Sequence, residues 1–463
     1  MINAQPSLEF IPPAFNPLVW QVARSLLPFW LRYRQGITEV RVDNAEELIE
    51  LYHQFHQGKT RFMLAFRHPF AVDPPCISQL LWNLLPQIAQ QAGKPLPFPV
   101  HTHFIYDRGI PLWAGKQVGW LISQLGGTPI RRGTLDRQGL RSIRDLFVSG
   151  TFPLAAAPEG ATNGHNEIIS ALEPGIAQFG FWCREDLQKA QIEAEVAIAP
   201  LGIRYHFFTA PWQSLEQLLS QLEVDSGLRK QPTANMGLVN GIALTPEQEQ
   251  IFYERLYQLA EHLLLLMENF YSRYYQQTIT TENDDLPSRL QALLNAALSV
   301  AEQAFGVKPN GNFGDRCRRV EQSGWDRIYR QDISELETLA PAAKGLANLV
   351  ASEAQLRLWH MRLVENFVSV TGRYVAEKPT VERFADTILL IWKMLARLKG
   401  QSNVKPPFLG KKWAQLTVQS PLLISNYWDG YKSNRRQAVA TLTQDLQSSL
   451  EQAISLKIGK NPN

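Results

Sequence analysis

Short apolar runs and longer amphipathic stretches alternate along the first half of the chain. Thr38–Val42 reads as a strand, and a helix follows from about Asn44-Ala45. Arg61-Phe62-Met63-Leu64-Ala65-Phe66 is apolar and aromatic-rich, as a strand buried on both faces would be. Asp73, two prolines and the run Cys76–Trp82 then have the form of an N-cap, a proline-tolerant first turn and an apolar helix face, with Pro86 kinking or ending the helix. Val100–Ile105, Thr151–Ala157 and Val196–Tyr205 are further strands. Leu112–Leu125 and Leu135–Ser149 are helical. Strands alternating with helices from about 37 to 205 predict an α/β sheet.

The pattern changes after about residue 225. Thr245-Pro246-Glu247-Gln248 forms a capping box at the head of a long helix to about Gln276. Helical stretches over Pro287–Phe305, Ile333–Thr371 and Thr380–Lys399 follow, almost without strand signal. A linker, Gly400–Pro407, leads to a short strand at Leu416-Thr417-Val418 and an amphipathic helix from about Tyr427 to Leu456.

One early segment stands apart. Pro17–Arg34 carries Leu18, Trp20, Val22, Leu26, Leu27, Phe29, Trp30 and Tyr33 with Arg24, Arg32 and Arg34 among them. It is too short and charged to span a bilayer, which takes about 20 mostly apolar residues. Two readings remain open: a segment lying in a membrane interface, or a helix packed on the core with its arginines in solvent. Pro74–Gly93 has the length of a span, but its proline, asparagine and glutamines argue against one. Residues 1–13 lack the features of a secretory signal.

Composition narrows the classes without choosing among them. With 463 residues, 45% hydrophobic and 19% charged, the chain can bury two or three cores, and disorder is not indicated. A net charge of +3 is too mild to imply nucleic acid. Three scattered cysteines, Cys76, Cys183 and Cys317, form neither a zinc motif nor a disulfide framework, which suits a reducing, cytoplasmic setting. His101 and His103 would share a strand face, but no third ligand lies near, so no metal site is assigned.

Candidate chemistry concentrates at strand ends. His68 and Asp73 are five residues apart, a spacing no single helix face brings together. If a turn does so, the carboxylate can fix one ring nitrogen and leave the other as a general base. The ordinary alternative is that Asp73 only caps its helix and His68 is a satisfied strand-end histidine. Gly126–Gly133 sets Arg131 and Arg132 between glycine turns, where a guanidinium could pair phosphate oxygens. Pro158-Glu159-Gly160 repeats the strand-then-tight-loop ending and offers a carboxylate there, or else an exposed acid in a turn.

In order, these segments resemble the blocks of the glycerolipid acyltransferases, the family that includes 1-acylglycerol-3-phosphate acyltransferase. His68 to Asp73 is similar to its H-x-x-x-x-D motif, Gly127–Arg132 to its second block, Pro158-Glu159-Gly160 to its P-E-G-T-R-S block, and the strand ending at Pro200 to its fourth. The resemblance covers roughly 40–210, and the tail from about 410 resembles the closing segment. It implies a mixed sheet flanked by helices with a large all-helical insertion. The segments would then be an N-terminal amphipathic piece (1–36), the acyltransferase α/β domain (37–244), a helical insertion (245–400) and the closing segment (401–463).

It further implies transfer of a fatty acyl group from a thioester, on coenzyme A or acyl carrier protein, to a glycerol-lipid hydroxyl, with no other cofactor. His68 would be the base and Asp73 its orienter, Arg132, aided by Arg131, would hold the acceptor phosphate, and Glu159 with Gly160 would position the glycerol. The enzyme would sit peripherally on a membrane in phospholipid synthesis. Ala161-Thr162-Asn163 departs from Thr-Arg-Ser, removing one expected phosphate ligand; either Arg131, Arg67 or Arg108 compensates, or the acceptor carries no phosphate. The alternative is a non-catalytic lipid-binding or scaffold protein with a drifted site. A lipase or thioesterase is disfavoured because no G-x-S-x-G elbow is present, and a nucleotide enzyme because no P-loop or dinucleotide fingerprint is.

Overall fold

The computed structural model describes residues 3–131, 135–232, 236–281, 283, 285–330, 332, 338–401 and 404–455. The expected helix start at Ile333, the end of the last helix at Leu456, the loop residues Arg132 and Gly133, and Ser402 and Asn403 of the linker lie outside them. The chain divides into two compact units: residues 10–131, 136–208 and 410–463 form one, and residues 1–9, 132–135 and 209–409 the other.

The first unit is a mixed sheet with helices on both faces. Its strands are β1 (Ile37–Asp43), β2 (Thr60–Phe66), β3 (His103–Asp107), β4 (Thr128–Ile130), β5 (Leu154–Ala156), β6 (Glu195–Phe207), β7 (Lys412–Val418) and β8 (Leu422–Leu423). They run in the order β1-β7-β6-β2-β5-β3-β4, with β8 added to β6. Strands β6, β2, β5, β3 and β4 are mutually parallel, and β7 is antiparallel to β6. Five parallel strands therefore bring their carboxyl ends to one edge.

Alternation along the central strands builds two cores. Phe62, Leu64 and Phe66 of β2 face one side, with Ala197, Ala199, Leu201, Ile203 and Tyr205 of β6. Met63 and Ala65 face the other, with Val196 and Ile198. Helices Pro17–Trp30, Ala45–His56, Asp73–Gln79 and Leu85–Gln91 cover the first core. Helices Arg137–Ser149, Gly175–Lys189 and Arg435–Ser455 cover the second. Both faces are covered, so the strands read as apolar runs rather than as alternating ones.

Two local expectations change. The helix after Asp73 is interrupted by a π turn at Leu80–Leu84 ahead of Pro86, which has no N–H for the ladder. Pro17–Trp30 packs one side on the core, as the second reading of its segment expects, and leaves an apolar stripe exposed on the other. Trp20 and Leu31 are buried in the core with Ala23 and Leu27 packed against it, while Leu18, Val22, Leu26, Phe29 and Tyr33, at helical spacing, are 59–75% exposed.

The second unit is helical, with a two-residue parallel pairing of Gln5-Pro6 and Tyr329-Arg330. It includes Pro246–Tyr275, headed by the complete capping box Thr245/Gln248, and Leu286–Phe305, Phe313–Ile328, Pro341–Glu365 and Val381–Leu398. Its main segment runs from 209 to 409 and so takes in helix Trp212–Asp225, ahead of residue 245. Trp212 stacks edge-on with Phe252 and Phe384, and Glu223, fully buried, takes two hydrogen bonds from Arg255.

Candidate active site

The first three blocks end at the carboxyl edge of the parallel strands, with His68 two residues beyond β2, Arg131 just beyond β4 and Glu159 three residues beyond β5, and Arg108 lies just beyond β3 at the same edge; the fourth does not end where expected, because β6 continues through Pro200 to Phe207. Ligands of open α/β sheets bind at this edge. The sequence supplied the strand ends, and parallel pairing brings them to one side.

The turn between His68 and Asp73 closes the pair. His68 Nδ1 lies 2.9 Å from Asp73 Oδ2, and the Phe70 N–H donates to the same oxygen at 2.9 Å. The other oxygen, Oδ1, accepts the Tyr205 hydroxyl. Asp73 is wholly buried, whereas the His68 side chain is 21% exposed. A carboxylate has no hydrogen to give, so Nδ1 is the donor. Nε2 is then the ring's free position, and among the described residues no hydrogen bond occupies it.

Asp73 does not cap its helix. It is the first helical residue, and no side-chain cap is made there. The next two residues are Pro74 and Pro75, which have no N–H to offer, so the carboxylate is left entirely to His68, Phe70 and Tyr205.

Glu159 is not the exposed acid of a turn. It is 4% exposed and fully engaged: Oε1 accepts the His68 N–H at 2.8 Å, and Oε2 accepts Asn163 Nδ2 at 3.0 Å and the Ser170 N–H at 2.8 Å. Its carboxylate fixes the backbone of the histidine. Gly160 takes a left-handed φ of 73° at the turn, a conformation open to glycine, and its N–H bonds Ala157 O at 3.2 Å.

Arg67, expected as a possible phosphate ligand, is not available for that role. It is 0% exposed and donates to four carbonyls, those of His165 (2.5 Å), Asn166 (2.8 Å), Ile168 (2.7 Å) and Ile203 (2.8 Å). The guanidinium ties the loop after β5 to β6.

Arg132, the first-choice phosphate ligand, lies outside the described residues. Arg131 is 7% exposed, and its N–H bonds Asp136 Oδ2 at 2.8 Å. The same oxygen takes Arg108 Nη2 at 2.6 Å. Near that pair the buried Tyr106 hydroxyl has no hydrogen-bond partner among the described residues, and burial pushes its pKa up to about 12 against the pull of Arg108. These groups make this end of the sheet edge polar.

His101 and His103 do not make a metal pair. His101 accepts Trp82 Nε1 at 2.9 Å and bonds Leu125 O at 2.8 Å, which uses both ring nitrogens. His103 Nδ1 bonds Gly126 O at 2.7 Å. Among the described residues no metal-holding cluster of His, Cys, Asp or Glu occurs.

Sequence reasoning missed Tyr205, Asn163 and Asn166. Strand alternation puts Tyr205 on the His68 side of the sheet, a signal the sequence carried. Its pairing with Asp73 depends on the parallel register Phe66↔Leu201, a long-range fact. Burial, reinforced by the negative Asp73, raises the Tyr205 phenol well above its usual range, so it stays a donor. Comparison of the chain with protein-family models, with curated proteins and with solved structures finds no match, and the site stands on its own geometry.

Proposed function

We propose that this chain is an O-acyltransferase of phospholipid synthesis. It would move a fatty acyl group from a thioester, on coenzyme A or acyl carrier protein, to a glycerol-lipid hydroxyl, with 1-acylglycerol-3-phosphate as first acceptor. The observation that carries this reading is the His68–Asp73 pair, an oriented imidazole with Nε2 free at the sheet edge.

Nε2 takes the proton of the acceptor hydroxyl as its oxygen attacks the thioester carbonyl carbon. The tetrahedral intermediate collapses, the C–S bond breaks, and the leaving thiolate takes the proton back from the imidazolium. An ester and a thiol result, with no acyl-enzyme. Arg108 and Arg131 stand at the same edge, and an acceptor phosphate would have to compete with Asp136, which holds Arg108 at 2.6 Å.

A membrane surface is the partner that presents the acceptor. The exposed stripe Leu18, Val22, Leu26, Phe29 and Tyr33, beside the exposed Arg32 and Arg34, supports interfacial docking. Among the described residues no helix is long and apolar enough to cross a membrane.

The test is acyl transfer from an acyl thioester to lysophosphatidic acid by the purified full-length protein and by His68→Ala. Loss of turnover in the variant, on the order of 100-fold or more, is expected for removal of a general base. Equal rates sink the mechanism. Liposome binding without turnover on any acceptor favours a non-catalytic lipid-binding protein instead.

A further inference from the structure

We propose that Tyr205 is a positioning residue of this site, holding Asp73 in the orientation that keeps His68 in its Nδ1–H tautomer. The proposal rests on the reading of His68 as the base and extends it to a residue on another strand.

Tyr205 belongs to a chain of fixed contacts. Its backbone is pinned by Asn166, whose Oδ1 accepts the Tyr205 N–H and whose Nδ2 donates to Tyr205 O, both at 2.7 Å. The Asn166 carbonyl is in turn held by Arg67. From that anchor the hydroxyl reaches Asp73 Oδ1 and lies 3.7 Å from Cys76 Sγ.

The inward residues before it on β6 are Ala197, Ala199, Leu201 and Ile203, all apolar. Tyr205 is the first to present a polar group, and it does so where Asp73 needs one. Without it Oδ1 would be a buried carboxylate oxygen with only a weak thiol donor nearby, and such a group reorients or takes up a proton. Either response loosens Oδ2 from Nδ1 and frees the ring to place a proton on Nε2, where the base must be empty.

Other charged or titratable groups of this part of the unit have partners of their own. Glu159 binds its backbone, Arg67 is committed to carbonyls, and Lys412 of β7 lies over the Phe70 ring at 5.8 Å. Cys76, on the Asp73 helix, is held as a thiol because burial raises its pKa. His165 bonds its own loop at Asn163 O. Tyr205 therefore controls the one oxygen of Asp73 that no other strong donor serves.

The experiment uses the full-length protein and Tyr205→Phe, which keeps the ring in its 5.4 Å contact with Phe70. The expected result is a fall in kcat of about 10- to 100-fold, taking the effect of outer-shell partners at metal-ligating histidines as the scale. KM should stay within about twofold. In an Asp73→Asn background the same change should have little further effect, because Tyr205 acts through Asp73.

Nitrogen-15 spectra of the His68 ring supply an arm that needs no substrate. Wild type should show the Nδ1–H tautomer at neutral pH, and Tyr205→Phe a mixture with Nε2–H. An Nε2–H tautomer in wild type overturns the proposal even if the variant does not fold. Unchanged ring nitrogens in Tyr205→Phe, or an undiminished loss in the Asp73→Asn background, overturn it as well. Absence of turnover in wild type counts against acyl transfer alone, and the ring spectra then decide the role of Tyr205.

Discussion

Arg67→Met separates a scaffold from a ligand beside the proposed base. The guanidinium, wholly buried, serves four carbonyls at 2.5 to 2.8 Å, three on the loop after β5 and one on β6. Methionine keeps much of the volume and removes every donor. A buried acceptor left unpartnered costs about 1–3 kcal/mol, so four of them cost about 4 kcal/mol at the lower end. That is a large part of the roughly 5–15 kcal/mol that holds a domain.

Arg67→Lys should fall between, since one ammonium at the end of a flexible stem cannot serve four diverging carbonyls. Urea unfolding followed by tryptophan fluorescence, with hydrogen exchange of β6 amides to localise the loss, reads both variants. The competing idea, Arg67 as a phosphate ligand, makes the opposite prediction. A loss below about 1 kcal/mol in Arg67→Met, with KM raised only for phosphate-bearing acceptors, would refute the scaffold role.

Acid should weaken the sheet unit through its buried histidines. Burial drives His101 from 6.5 to about 3 and His165 to about 4, the latter also repelled by Arg67. These groups are neutral in the folded state and charge more readily when unfolded, so their stability is present above about 6.5 and is lost as pH falls toward 4. At about 1.4 kcal/mol per unit, His101 alone accounts for roughly 3 kcal/mol by pH 4. The stability gap between wild type and His101→Gln, measured by urea midpoint, should narrow over that window, and a constant gap contradicts it.

Phe29→Glu with Leu26→Glu should abolish co-sedimentation with vesicles containing anionic lipid while leaving the melting temperature within a few degrees, because both side chains are exposed. Retained binding argues against the stripe. On β6, a Cβ at Gly202 would meet Ala453 Cβ at 2.5 Å, so Gly202→Ala should cost about 1–3 kcal/mol. Ala453→Gly in the same chain should recover part of the loss in a thermal melt, and no recovery would mean that the strain lies elsewhere.

How much could be read beforehand followed the range of the interactions. The capping box at Thr245 and Gln248 is local, and both of its hydrogen bonds form. The alternation of short apolar runs and helices placed β2, β5 and β6 within a few residues. Helix Phe313–Ile328 escaped notice because its pattern is dominated by charge: Asp315, Arg316, Arg318, Arg319, Glu321, Asp326 and Arg327. A periodicity argument assigns such residues to solvent, yet Arg316 is buried against Glu302 at 2.7 Å. Arg67 was misjudged for the same reason. A cation beside a candidate base suggests a ligand, and only the tertiary fold reveals four carbonyls converging on it.

Set against the block that Pro158–Asn163 resembles, the proposed site has two halves that can change separately. Glu159 takes the His68 N–H on one oxygen and is braced on the other by Asn163 and Ser170. Asn163 also reaches Ile168 O at 2.7 Å, so one amide secures both the carboxylate and the loop carrying it. The position where the resemblance would have serine is thus filled by a residue that supports the base, and the half of the block that places His68 is intact. The departure that remains, Ala161-Thr162 in place of the resembled block's Thr-Arg, would under the proposed function remove a cation from the acceptor side alone. Under the proposed reading, catalysis of proton transfer should be insensitive to this change, while preference for a phosphate-bearing acceptor over a neutral one should be weaker than a Thr-Arg sequence would give. Thr162→Arg tests that division. A gain in kcat/KM confined to phosphate-bearing acceptors fits it, and a change in turnover shared by all acceptors would show the two halves to be coupled through Glu159.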